Sequence, residues 1–112
     1  MAPGQSPPAA GRLLPAVIMI AVTRDIIIQN ALGLHARPAM QFVDLANQFK
    51  STIVVHKDGP EGCTVDGKSV MQMITLEAIQ GTPLRIEAEG DDAEAAVEQL
   101  AKLVEDKFGE ED

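Results

Sequence analysis

The chain changes its hydrophobic period abruptly near residue 90. Leu84, Ile86 and Ala88 alternate with Arg85, Glu87 and Glu89, so residues 84–89 form a strand with one face toward a core. After Gly90, Asp91 and Asp92, the apolar residues 93, 96, 97, 100, 104 and 108 recur at helical spacing, with acids weighted toward the start and Gly109 as a stop. A strand that buries one face needs neighbouring strands and a covering layer, and the helix that follows it within three residues can supply that layer. A two-layer α+β architecture is the simplest solution.

The same alternation of periods runs through the rest of the chain. Ile20, Val22, Ile26 and Ile28 stand at even spacing and predict a strand over residues 20–28, although Arg24 and Asp25 interrupt its pattern. Apolar residues 36, 39, 40, 43, 46 and 49 predict an amphipathic helix over residues 36–49, with Lys50 at its negative end. Residues 51–57 and 62–66 read as strands of a hairpin closed by Asp58, Gly59 and Pro60. Ser69, with Gln72 three residues on, predicts an N-cap and capping box for a short helix ending near Leu76. The order is β-α-β-β-α-β-α. It predicts a four-stranded antiparallel sheet with three helices on one face.

At 112 residues, the chain holds one compact domain. It has three Phe and no Trp or Tyr, so its core must be aliphatic. Residues 1–18 are rich in proline and small residues and predict a mobile extension, residues 19–109 the domain, and residues 110–112 a solvated acidic tail. The apolar run 16–22 is too short to span a bilayer and flows into a strand pattern, which reads against a signal peptide. Met19 is then expected as the true or an alternative start.

A single cysteine, Cys63, excludes an intrachain disulfide and suits a reducing cytoplasm. Cys63, His35 and His56 lack metal-ligand spacing, so no metal and no cofactor are implied. The net charge of −8 is concentrated: residues 87–112 carry 11 acids and 2 bases. Such a chain offers no basic face for nucleic acid or an anionic membrane, and its partners are expected to be proteins.

The chemistry is expected at Gly33, Leu34, His35, Ala36, Arg37, Pro38 and Ala39. Pro38 fits a first helical turn, where its missing N–H costs nothing. The backbone N–H groups of Ala36, Arg37 and Ala39 are then expected to lack acceptors and to form an anion site, to which Arg37 adds a guanidinium fork. An imidazole at the rim of that site can carry a phosphoryl group as well as bind one. Arg37 as a plain surface charge is the simpler alternative.

This segment resembles the active-site signature of HPr, the histidine phosphocarrier of the bacterial phosphoenolpyruvate-dependent phosphotransferase system. Gly67, Lys68, Ser69, Val70 and Met71 resemble the regulatory serine region of the same family, and the likeness spans residues 20–108. The resemblance implies an HPr-like open-faced sandwich. It implies further that His35 accepts phosphate on Nδ1 from enzyme I and passes it to an enzyme IIA-type protein. An ATP-dependent HPr kinase/phosphorylase would act on Ser69, which the N-cap alone also explains. Val70, Met71, Met73 and Ile74 would include docking residues for partners, core packing being the alternative. The chain is expected to be a monomeric carrier rather than an independent enzyme.

Two features depart from the plainest pattern of that family. The loop 58–62 is longer than in compact sugar-pathway members, and Asn30, Ala31, Leu32 and Gly33, with Met40, resemble the nitrogen-related paralogues. A nitrogen-branch or purely regulatory paralogue, controlling partner proteins by its phosphorylation state, is the alternative reading. His56 carries no cue to a role.

Overall fold

A computed structural model describes residues 21–60 and 62–110. The elements are β1 (Val22–Ile27), α1 (Ala36–Ala46), β2 (Thr52–Lys57), β3 (Cys63–Asp66), α2 (Val70–Ile74), β4 (Pro83–Glu89) and α3 (Ala93–Glu105). The expected extension, the alternative start at Met19 and the last two acids of the tail lie outside the described residues. Within them the order of elements is the one predicted; boundaries coincide with the expectation or fall one to three residues short of it, except that β4 begins one residue earlier.

The four strands form one antiparallel sheet in the order β1-β4-β2-β3. Period-2 placement explains the register. Ile26 faces Leu84, Ile53 faces Ala88, and Val55 stands between Ile86 and Val65, all of them buried. Arg24 does not break this alternation: it pairs with Ile86, keeps the helix-side parity and sends its guanidinium to Glu105 of α3 at 3.2 Å. The outer face is polar, with Arg85 on Asp25 at 3.0 Å and His56 between Thr64 and Glu87 at 2.8 Å each.

Above the inner face, α1 buries Pro38, Ala39, Phe42, Val43 and Ala46, and α3 buries Ala93, Ala96, Val97, Leu100, Ala101 and Val104. Half of the α3 stripe is alanine, and α3 packs across β1 and β4, while α1 packs against α2 and α3. α1 stops at Ala46, three residues before the predicted end, and the chain turns through Asn47 to bring Phe49 against the core. The Asp92 carboxylate fixes the next junction. It accepts from the Lys50 amide at 2.8 Å, the Ser51 amide at 3.0 Å and the Ser51 hydroxyl, and does not cap its own helix.

The end of α3 differs most from the prediction. The helix closes at Glu105, and Lys107 and Phe108 both adopt left-handed backbone (φ +59° and +56°) in a single turn, Lys107–Gly109. Phe108 is buried as its apolar character requires, but it arrives by that turn instead of lying on the helical stripe.

Candidate functional site

His35 occupies the N-cap position of α1 in extended backbone conformation. Two devices place it there. Gly33 adopts φ +73° and sits against the 78–79 backbone, where a Cβ would lie 2.6 Å from the Ala78 carbonyl oxygen. The Leu34 amide then donates to that same oxygen at 2.8 Å, and the Leu34 side chain is buried. The loop is pinned on both sides of the turn, and the imidazole emerges at the rim with its side chain 37% exposed.

Of the three amides expected at the anion site, two remain available. Ala36 and Arg37 occupy the first two helical positions, and their N–H groups have no acceptor among the described residues. Ala39 corrects the third: its N–H donates to the His35 carbonyl at 3.0 Å and closes the first turn of the helix. A helix that starts at Ala36 engages the amide four residues after the cap, which leaves only the earlier donors facing solvent. Arg37 is exposed and shares an open depression with Ala31, Leu32, His35, Phe108, Gly109 and Glu110.

Glu110 is the residue that sequence reading missed. It was expected in a solvated tail, yet its side chain is 18% exposed and its Oε2 lies 2.8 Å from Nε2 of His35. Its Oε1 accepts from Nδ2 of Asn30 at 2.9 Å, and the same nitrogen donates to the Gly33 carbonyl at 2.7 Å. Asn30 is completely buried. No acidic residue lies within eight positions of His35 along the sequence, yet Glu110 stands beside it in space. The sole sequence cue was Gly109 after a terminal aromatic, which marks a chain reversal without giving its direction.

Ser69 caps α2, its Oγ accepting from the Gln72 amide at 3.2 Å. The capping box is incomplete, because Oε1 of Gln72 accepts from the Asp66 amide at 2.8 Å and not from Ser69. Among the expected docking residues, Met71 and Ile74 are exposed and Val70 is half-buried, whereas Met73 is a core residue. A five-residue helix turns one of its two central methionines inward, and spacing alone does not say which. Leu32, Met40 and Ile79 are also exposed. Leu32 lines the depression and Ile79 lies against Gly33, so these two add apolar surface beside His35, while Met40 is exposed on α1. His56 has both ring nitrogens engaged on the outer face of the sheet, and Cys63 is a free, exposed thiol. Among the described residues no cluster could hold a metal ion, and no helix is long and apolar enough to cross a membrane.

An open-faced α+β sandwich that presents a half-exposed imidazole at a helix N-terminus, with a guanidinium beside it, defines the class of small histidine phosphocarriers. The family model described as the PTS HPr component phosphorylation site matches residues 22–106. The phosphocarrier protein NPr of Proteus mirabilis is 40% identical over 79% of this chain and 96% of its own. The phosphocarrier protein HPr of Borreliella burgdorferi is 43% identical over 75% of this chain and 94% of its own. Among solved structures, HPr-C-His from Thermoanaerobacter tengcongensis superposes with a TM-score of 0.75 at 46% identity, covering 80% of this chain and 98% of that one. The chain belongs to the HPr family of the phosphotransferase system.

Proposed function

We propose that this protein accepts a phosphoryl group on Nδ1 of His35 from enzyme I and passes it to an enzyme IIA-type protein. The observation that carries this reading is the placement of a half-exposed imidazole at the start of α1, beside the free amides of Ala36 and Arg37. Nε2 is occupied by Glu110, which leaves Nδ1 as the nucleophilic nitrogen. Its lone pair attacks phosphorus on enzyme I. The Nδ1–P bond forms as the bond from phosphorus to enzyme I breaks, and that electron pair stays with enzyme I. Onward transfer reverses the roles: the acceptor's nucleophile takes phosphorus and the Nδ1–P electron pair returns to the ring.

The charge on the transferred group suits its surroundings. A positive helix end and a guanidinium stabilise a dianion without enclosing it, so the phosphoryl group is held and still surrendered. Met71, Ile74 and Val70, with Leu32, Met40 and Ile79, form the apolar surface on which successive partners dock in the cytoplasm. Phosphorylation of Ser69 by an HPr kinase/phosphorylase would add about −1.5 to −2 of charge beside that surface and weaken docking of acidic partners. The alternative, a nitrogen-branch or regulatory paralogue, is favoured by the NPr relative, and it requires the same phosphate on the same ring.

Incubation with phosphoenolpyruvate and enzyme I tests the carrier reading. An acid-labile, base-stable phosphate on the wild type and none on His35→Ala is the expected result. Undiminished labelling of His35→Ala would remove His35 from the scheme.

A further inference from the structure

We infer that Glu110, held in place by Asn30, is a positioning residue that keeps the proton on Nε2 of His35 through both halves of the phosphoryl cycle. The inference deepens the proposed carrier function and rests on it. It starts from the contact itself. An ionised carboxylate accepts hydrogen bonds and donates none, so at 2.8 Å from Glu110 Oε2 the Nε2 atom carries the proton and Nδ1 the lone pair.

The chain makes unfavourable choices to build this contact. After α3, Lys107 and Phe108 both take the left-handed backbone that side chains disfavour, and the buried Phe108 ring anchors the turn that brings Glu110 back over the site. On the other side stands Asn30, fully buried, with both protons of Nδ2 committed to the Gly33 carbonyl and to Glu110. Its Oδ1 is buried with no hydrogen-bond partner among the described residues. A buried amide with an orphaned acceptor is a poor device for stability alone. It is a good device for fixing a carboxylate. The His35–Glu110 contact spans 75 residues and the Asn30–Glu110 contact 80, so the two ends of the fold meet at the ring.

The proton matters in both directions. As the Nδ1–P bond forms with the Nε2 proton retained, the ring acquires the positive charge of an imidazolium, and the adjacent carboxylate stabilises it, as the aspartate does for histidine in a serine-protease triad. When phosphorus departs to the acceptor, the protonated ring leaves as neutral imidazole. Without the proton the leaving group would be an imidazolide anion, and transfer would be slow. The charged groups that line the depression with the ring are Glu110 and Arg37, and the amide of Asn30 is neutral.

The test compares wild type with Glu110→Ala, Glu110→Gln and Asn30→Ala in two measurements: the Nε2–H proton resonance of His35, and the pH profile of phosphate transfer from the phosphorylated protein to an enzyme IIA acceptor. In wild type the Nε2–H resonance should be visible and shifted downfield. In Glu110→Ala it should be lost to exchange, and the alkaline fall in transfer should set in about one pH unit lower, about tenfold in rate on that limb. Glu110→Gln, which keeps an acceptor and removes the charge, should retain the resonance while its alkaline fall moves to lower pH with that of Glu110→Ala. Asn30→Ala should move both readouts in the direction of Glu110→Ala, and the double variant should be no worse than Glu110→Ala alone. A Glu110→Ala protein with the wild-type resonance and the wild-type profile would overturn the inference and leave the carrier function standing. A wild type that takes no phosphate would overturn both.

Discussion

Gly33 shows how little latitude the site allows at single residues. Its φ of +73° and the 2.6 Å approach of a would-be Cβ to the Ala78 oxygen make even alanine a misfit. Gly33→Ala should lose about 1–3 kcal/mol of stability in urea unfolding, and an unchanged midpoint would show that the loop tolerates the side chain. Arg37 is a different kind of residue: it is exposed and, among the described residues, without a hydrogen-bond or ion-pair partner, so nothing there ties it to the fold. Its planar fork suits phosphate oxygens better than an ammonium does. Arg37→Lys should therefore slow phosphate acceptance and Arg37→Ala slow it further, both with wild-type melting curves. Equal transfer rates for all three proteins would return Arg37 to a plain surface charge. His35 and Arg37 were legible in the sequence because the chemistry lies within three consecutive residues before a helical stripe. Ala39 was misjudged by one turn of backbone accounting, and Glu110 by a reversal in chain direction that no spacing rule contains.

The elements repeat that lesson on a larger scale. Strands with clean period-2 alternation, β4 above all, were readable because burial of one face leaves a binary record. α2 was readable as a helix but not in its orientation, since five residues carry too few apolar positions to mark one side. Junctions were least legible, and the one between α1, β2 and α3 is held by a single carboxylate. Hydrogen bonds, first from the Ser51 hydroxyl and then from the Lys50 amide, keep the Asp92 carboxyl below its ordinary range. A group whose folded value is depressed adds stability that is complete above its unfolded value, about pH 4, and is lost as the pH falls through the folded value. Asp92→Asn should accordingly unfold more readily than wild type in urea at pH 7, with the gap narrowing as the pH falls below about 4. A gap of the same size at both pH values would mean that packing, not ionisation, is what the substitution removes.

For the molecule as a whole, division of labour follows from the sheet order. The central strands β4 and β2 carry the core, while the loops 28–35 and 75–82 meet at one end, joined by the Leu34–Ala78 hydrogen bond. The C-terminal turn closes on the same end. His35 thus stands on a rigid base with an exposed apolar rim, and a carrier that must fit a donor and an acceptor in turn needs both. Phosphorus-31 NMR of the protein treated with phosphoenolpyruvate and enzyme I tests that central claim most directly. The account predicts one phosphoramidate resonance, assigned to Nδ1 of His35, that vanishes when an enzyme IIA acceptor is added. A resonance that never forms, that survives in His35→Ala, or that persists unchanged with every acceptor offered would contradict it.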